Sequence, residues 1–266
     1  MPFCAQDGKP VAELIIYEHP LNERMRTLLR LERLFDEIAY HMTQSDAWNT
    51  RQCVKALLDA TTALTRSDLR SELLKEVERL TNVLHGIQRD AGIDTSMLDE
   101  TLAKLEQGGA SLRNQPGQIG QRLRNDEFLK TVAQRSCIPG GDCSFDLPEL
   151  HYWLHRPEDE RRADLSDWLT DLAPVRHATD LLLALIRDSA VSEPRQAKRG
   201  MFQQDQDAAR GTRLIRIGLD PAIPCHAEVS GGKHRYTIRF IDMSRGLSHP
   251  APADYDIEFS LTNCML

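Results

Sequence analysis

The residues with the clearest capacity for chemistry lie in one short stretch, between Cys137 and His155. It holds two thiols, Cys137 and Cys143, and two imidazoles, His151 and His155. Thiolates and imidazoles are the ligands that zinc prefers, and histidines four residues apart share one face of a helix. The spacing between the thiols and the histidines departs from that of zinc fingers. A small metal-binding protein, or an enzyme that pairs Cys143 with His151, is therefore an alternative hypothesis.

The elements that must position these side chains are a turn and a helix. Pro139 and Gly140-Gly141 predict a sharp turn, because proline removes a backbone donor and glycine permits positive φ. Asp146 is the predicted N-cap of the helix that follows, with Pro148 in its first turn and Glu149 at the capping-box position. The sequence therefore predicts a rigid turn that orients a helix carrying both histidines.

A second kind of chemistry is available to arginines in separate segments. Arg26 and Arg30 lie one turn apart on a predicted helix, and further pairs are Arg122 with Arg124 and Arg235 with Arg239. Guanidinium groups bind carboxylates with two parallel hydrogen bonds. If these arginines converge with His151, they form a cationic pocket for an acidic or carboxylate-ending peptide.

The alternative for these arginines is pairing within the chain. On the first helix, Arg33 lies four residues before Glu37, which is a favourable ion-pair spacing. In the predicted C-terminal strands, Arg235 and Arg239 are expected to pair with Asp256 and Glu258. The sequence leaves the pocket and the solvated surface both open.

Composition and motifs exclude several classes of protein. The chain has 266 residues and a net charge of −7, which argues against a general nucleic-acid binder. Nucleotide-binding glycine loops, the Gly-x-Ser-x-Gly motif and the His-Glu-x-x-His motif do not occur. The longest apolar run, Leu181 to Ile186, is too short to cross a membrane, and the N-terminus shows no signal-peptide pattern. We expect a cytoplasmic protein with reduced cysteines, without cofactor, metal or membrane insertion.

Helical periodicity dominates the chain up to about residue 190. The first helix is apolar over more than half of its circumference, which indicates packing on two sides or a subunit interface. Ser67 is the predicted cap of a later helix, and Gly108-Gly109 are predicted to end the one before them. The predicted helices are 21–42, 48–64, 68–87, 97–105 and 126–135, with two more that begin at Pro157 and Pro174.

Both ends of the chain carry strand signals. The apolar run from Leu14 to Tyr17 predicts a strand buried on both faces, and alternation with a period of two begins beyond Thr212. We expect the N-terminal strand to join one small antiparallel sheet that the C-terminal strands form. The predicted fold class is α+β, with a flexible tail 1–12, an N-terminal strand 13–18, a helical domain 19–190, an exposed connection 191–211 and a β-domain 212–266.

Two strings in the sequence resemble the signatures of the ZapD family of bacterial division proteins. The first runs from Ile138 to His155 and reads Ile-Pro-Gly-Gly, one residue, Cys-Ser-Phe-Asp-Leu-Pro, then Leu-His-x-Trp-Leu-His. The second is the string from Glu18 to Glu23 with Met25, Arg26, Thr27 and Arg30. Shorter matches lie at 72–76, 119–124 and 238–240. The matches follow the family's order, so the resemblance covers nearly the whole chain except its first dozen residues.

The resemblance implies a function that the composition does not indicate. Proteins of this family are cytoplasmic dimers that bind the C-terminal tail of the tubulin-like protein FtsZ. They bundle FtsZ filaments into the division ring at midcell. The family architecture is a helical domain, which is held to form the dimer, joined to a β-domain.

The family's motifs also imply which residues bind the tail. The positions that match are Arg26, Arg30, Arg124, His151 and Arg235. Where relatives can carry a further basic residue, this chain has Glu127, while Arg122 adds a charge nearby. The resemblance therefore implies a non-enzymatic homodimer whose partner is the FtsZ tail.

Overall fold

The computed structural model describes residues 13–65, 68–89, 95–206, 212–232 and 234–266. The chain divides into two compact units. We call Thr27–Ala184 the helical unit. The described residues of Met1–Arg26 and Leu185–Leu266 form the β unit, which holds all of the described strands. The α+β class is confirmed, whereas the predicted tail 1–12 and the predicted cap Ser67 lie outside the described residues.

The helices follow the apolar periodicity of the sequence. In α1, Asn22 Oδ1 accepts a hydrogen bond from the backbone N–H of Met25 at 2.9 Å, which caps the helix start. The described helices are α1 (Glu23–Met42), α2 (Ala47–Thr65), α3 (Leu69–Arg89), α4 (Thr95–Asn114), α5 (Gln121–Asn125), α6 (Glu127–Ser136), α7 (Pro148–Leu154), α8 (Glu158–Thr170) and α9 (Ala173–Asp188). None of the described helices is both long enough and apolar enough to span a membrane.

The helix α4 is longer than predicted. The expected end at Gly108-Gly109 was wrong, because the helix continues to Asn114. A Cβ placed on Gly109 would lie 3.4 Å from Val77 Cγ1 on α3, so the glycine lies where the two helices approach closely. A glycine inside a helix costs about 1 kcal/mol relative to alanine, and the packing of α4 against α3 offsets that cost.

The strands form two antiparallel sheets, whereas the sequence predicted one. The described strands are β1 (Ile15–Pro20), β2 (Glu193–Ala197), β3 (Met201–Asp205), β4 (Leu214–Leu219), β5 (Cys225–Gly231), β6 (Arg235–Asp242), β7 (Ala251–Pro252) and β8 (Ile257–Cys264). The first sheet has the order β1-β4-β8-β2, and the second has the order β3-β6-β5 with β7 paired to β6. The prediction that the N-terminal strand joins C-terminal strands is confirmed, since β1 pairs with β4.

The two sheets share one apolar core. Ile217 from the first sheet and Ile238 from the second are fully buried in the same cluster. Phe259 of β8 lies against rings of the second sheet, with its centroid 5.4 Å from that of Phe202 and 5.2 Å from that of Phe240. The alternation of apolar and polar residues in the strands therefore places the apolar side chains between the sheets.

Two predictions about strands were wrong. The stretch 191–211, predicted to be an exposed connection, contains β2 and β3; its last residues, 207–211, lie outside the described part. The N-terminal strand is not buried on both faces, since Ile15 and Ile16 are 43% and 47% exposed. β1 is the edge strand of its sheet and pairs with β4.

Candidate cationic binding site

Arg26 and Arg30 lie one turn apart on α1 but differ in their partners. Arg26 Nη1 lies 3.0 Å from Glu23 Oε1. Arg30 is exposed and has no ion-pair partner among the described residues. Farther along the helix, Arg33 pairs with Glu37 at 3.6 Å, as the spacing predicted. Of these three arginines, Arg30 alone keeps a charge that no described carboxylate compensates.

His19, at the end of β1, responds to the charge of Arg26. Burial lowers the pKa of His19, and the positive charge of Arg26 lowers it further. The neutral imidazole is therefore favoured at this position. No sequence pattern assigned a role to His19, although it lies inside the Glu18 to Glu23 string.

Arg122 and Arg124 share the short helix α5 yet contact different groups. Arg122 Nη1 lies 3.0 Å from Asp167 Oδ2, and its Nη2 donates to the carbonyl of the same residue. Arg124 has no carboxylate partner among the described residues. Its Nη1 donates to the carbonyl of Ile119 at 2.8 Å, and its Nη2 lies 3.3 Å from Gln118 Oε1. Asp167 thus compensates the charge of Arg122. The neutral groups around Arg124 fix the position of its guanidinium group but do not compensate its charge.

Arg124 lines a cleft of about 520 Å³ together with Arg70, which the sequence analysis did not single out. Arg70 Nη2 donates to the carbonyl of Gly117 at 2.6 Å. The loop that supplies the carbonyls turns at Gly117 and Gly120, where φ is +66° and +68°. Only glycine adopts such angles readily. We call this site the Arg70–Arg124 cleft; besides these two arginines and Gly117, the described residues that line it are Leu64, Thr65, Asp68, Leu69, Gln118 and Ile119.

His151 is exposed on α7 beside His155. The two ring centroids are 4.4 Å apart, and His155 Nδ1 lies 2.7 Å from the carbonyl oxygen of His151. The two histidines are neighbours as predicted, but α7 carries only His151, and His155 is its C-cap residue.

The position of α7 depends on aromatic packing. The ring of Trp153 lies 5.5 Å from that of Phe128 on α6 and 5.6 Å from that of Trp168 on α8. Trp153 Nε1 also donates to Asp164 Oδ2 at 2.8 Å. These contacts hold α7 between two helices and so fix the helix that carries His151.

The predicted cap of α7 was wrong. Leu147 is the N-cap of α7, Pro148 is its first residue, and no side chain caps it. Asp146 lies one residue too early, and its Oδ2 accepts a hydrogen bond from Cys143 Sγ at 3.4 Å instead. The proline with its fixed φ starts the helix without a side-chain cap.

The metal and enzyme alternatives do not fit the structure. Within the described ranges, no group of three or more His, Cys, Asp or Glu side chains could hold a metal ion. The thiol of Cys143 contacts Asp146, and that of Cys137 lies 3.5 Å from the carbonyl of Ala133. The four side chains of the zinc alternative do not form such a group, and the Cys143 thiol contacts a carboxylate where the enzyme alternative expected His151.

Arg235 lies on β6 in the β unit, and its partner differs from the predicted one. Pairing of Arg235 or Arg239 with Asp256 and Glu258 would require β6 beside β8, but β6 lies between β3 and β5. Arg235 Nε instead lies 2.8 Å from Asp205 Oδ1 on β3. The prediction was wrong because the sequence did not indicate that the strands divide into two sheets.

The structure places the six predicted binding residues on four elements. Two lie on α1, two on α5, one on α7 and one on β6. Of the six, Arg124 lines the Arg70–Arg124 cleft. Glu127, which stands where relatives can carry a basic residue, pairs with Lys130 at 2.7 Å. One pocket formed by all six, Arg26, Arg30, Arg122, Arg124, His151 and Arg235, stays a prediction.

Comparisons with known proteins agree on one family. Residues 29–239 match the family model of ZapD, described as a cell division protein. The chain is 40% identical to Cell division protein ZapD of Methylococcus capsulatus over 95% of this chain and 98% of that protein. It is 38% identical to Cell division protein ZapD of Nitrosomonas eutropha and 37% identical to that of Aromatoleum aromaticum, again over 95% of this chain and over 100% and 98% of those proteins.

Proposed function

This chain belongs to the ZapD family of cell division proteins, and we propose that it is a non-enzymatic factor that binds the C-terminal tail of FtsZ. The observation that carries the proposal is the similarity along nearly the full length of three relatives named as cell division proteins. The two signature strings that imply tail binding lie within this similarity.

Two arginines support the proposal because their charges are not compensated. Arg30 and Arg124 have guanidinium N–H groups and no carboxylate partner among the described residues. Such groups are suited to bind carboxylates of an incoming peptide. Arg122 and Arg235 must give up their contacts with Asp167 and Asp205 before they bind a ligand in the same way, so we expect smaller contributions from them.

The proposed mechanism depends on valency. A homodimer with one tail site per subunit presents two sites related by a two-fold axis, so one dimer bridges two filaments. Each contact can be weak, because a disordered tail loses conformational entropy when it binds. Filaments display many tails, and linked sites raise the overall affinity without new contacts. The cytoplasmic division ring at midcell is where this protein would act.

Sedimentation of polymerised FtsZ tests this function. The protein should pellet with FtsZ filaments, and the pelleted fraction of FtsZ should rise as the filaments bundle. FtsZ without its C-terminal tail should polymerise but leave the protein in the supernatant. Equal pelleting with both forms of FtsZ would show that the tail is not the binding element. A purified protein that sediments as a monomer would contradict the cross-linking mechanism.

A further inference from the structure

The two arginines of the Arg70–Arg124 cleft differ from many others in the protein in the groups they contact. Many arginines elsewhere in the protein have a carboxylate within ion-pair distance, as Arg122 has Asp167. Arg70 and Arg124 instead donate to main-chain carbonyls of the loop between α4 and α5. A carbonyl oxygen orients a guanidinium group without cancelling its charge. The cleft therefore contains two positioned cations that can still bind an anion.

One carboxylate, Asp68, is present among the described residues that line the cleft. Its Oδ1 lies 3.5 Å from the backbone nitrogen of Ser71, at the start of α3. Hydrogen bonds with Ser71 lower the pKa of Asp68, and the charges of Lys75 and Arg70 lower it further. Among the described lining residues, two arginines and one ionised aspartate leave one net positive charge. Each guanidinium has five N–H groups, so donors remain for a ligand.

Apolar side chains complete the lining. Leu64, Leu69 and Ile119 are all buried and form its apolar part. The volume falls within the range of about 300–1,000 Å³ that is usual for ligand pockets. The chemistry that fits these surroundings is a carboxylate next to an apolar group, as at the C-terminal residue of a peptide.

We propose that the Arg70–Arg124 cleft binds the terminal carboxylate of the peptide tail that the protein recognises. This inference rests on the proposed function, because it assumes that the ligand is a C-terminal tail. Every such tail ends in one free carboxylate, and two guanidinium groups bind it with parallel hydrogen bonds. Arg70 is thereby assigned as a binding residue, although neither the sequence motifs nor the family comparison indicated it.

The first test uses the unmodified protein and two peptides. Both have the sequence of the FtsZ C-terminal tail, one with a free terminal carboxylate and one with a terminal amide. Fluorescence anisotropy at low salt should show about tenfold weaker binding of the amide, because the charge-assisted hydrogen bonds are lost. Equal affinity for the two peptides would overturn the inference while leaving the proposed function intact. If neither peptide binds, the proposed function and this inference both fail.

The second test asks whether Arg70 causes the discrimination. Arg70→Gln should bind the free-acid peptide about tenfold more weakly and should no longer distinguish it from the amide. Lys104→Gln is the matched control, because it removes the same charge from the helical unit at an exposed residue outside the described cleft lining. It should keep the discrimination. Thermal unfolding should confirm that both variants are folded, and a folded Arg70→Gln protein that still prefers the free acid would overturn the assignment.

Discussion

Two clefts of similar size, one in each unit, differ in the partners of their arginines. The Arg70–Arg124 cleft measures about 520 Å³, and a cleft in the β unit measures about 550 Å³. In the β unit cleft, Arg195 pairs with Glu193, and Asp205 pairs with Arg235. In the helical unit, Arg70 and Arg124 contact carbonyl oxygens. Both clefts contain arginine, but in one of them neighbouring carboxylates already compensate it.

This difference matters in a protein with a net charge of −7. An arginine that already has a carboxylate partner must lose that partner before it binds another, so its net contribution to ligand binding is small. An arginine held by carbonyl oxygens keeps its charge and loses little side-chain freedom on binding. An anionic partner should therefore bind where arginines have no carboxylate partner of their own, and not simply where arginines are most numerous.

The largest effect is expected on α1, where compensated and uncompensated arginines lie side by side. Arg30→Glu should weaken tail binding by at least about 100-fold, because it replaces attraction by repulsion. Arg33→Glu is the control: it makes the same change at a residue that already pairs with Glu37. Anisotropy measures binding, and sedimentation velocity should show that both variants keep the oligomeric state of the unmodified protein. Similar losses for the two variants would mean that binding reflects the overall charge of the helix.

The next effect concerns the stability of the β unit, where a partly buried carboxylate pairs with two arginines. Glu18 is 19% exposed, 2.6 Å from Arg187 Nη2 and 2.9 Å from Arg216 Nε. Glu18→Gln should lower the free energy of unfolding by about 1–3 kcal/mol, since two half-buried guanidinium groups lose their carboxylate. Glu193→Gln removes an exposed partner and should cost less than about 1 kcal/mol. Urea unfolding measures both values, and equal costs would show that burial of the pair is unimportant.

Salt should weaken tail binding by a smaller factor than the Arg30→Glu substitution does. Exposed charges are screened over about 8–10 Å at physiological ionic strength. We expect the affinity for the tail peptide to fall about tenfold between about 50 and 500 mM NaCl. The same titration with Arg30→Gln should show a shallower dependence on salt. An affinity that stays constant over this range would indicate that apolar contacts dominate.

The smallest effect is a pH dependence of stability through His19. Its pKa is lowered in the folded protein, so the unfolded chain binds the proton more readily. The stabilisation is present above the ordinary histidine pKa of about 6.5 and is lost as the pH falls toward the folded pKa. Urea unfolding of the wild-type protein and of His19→Gln at about pH 7.5 and pH 5.5 measures this effect. The wild-type protein should lose more stability on acidification than the variant does.

The sequence predicted where helices and strands lie better than it predicted which of them lie side by side. Apolar periodicity located most of the helices, because burial of one face determines both the pattern and the structure. It did not indicate the five-residue helix α5. It failed at Gly109, where the close approach of α3 outweighs the helix-breaking tendency of glycine. Period-two alternation indicated that strands follow Thr212, but it contains no information on which strands pair. The predicted partners of Arg235 were wrong for that reason.

The candidate site shows the same limit. Arg30 and Arg124 could be found from the sequence, because both lie in strings that match the family's motifs. Arg70 could not be found in this way, since its role depends on a contact with the carbonyl of Gly117, 47 residues away along the chain. Its neighbour at residue 72 begins one of the weaker family matches, which was the only signal close to it. The difference between Arg122 and Arg124 was equally hidden, because it depends on Asp167 in α8.

The most direct test compares one arginine from each cleft. The measurement is the affinity of the FtsZ tail peptide for Arg124→Gln and for Arg195→Gln, in the same buffer at low salt. We expect about a tenfold loss for Arg124→Gln and less than about a twofold change for Arg195→Gln, although each substitution removes one positive charge. Equal effects of the two substitutions, or a larger effect of Arg195→Gln, would contradict it.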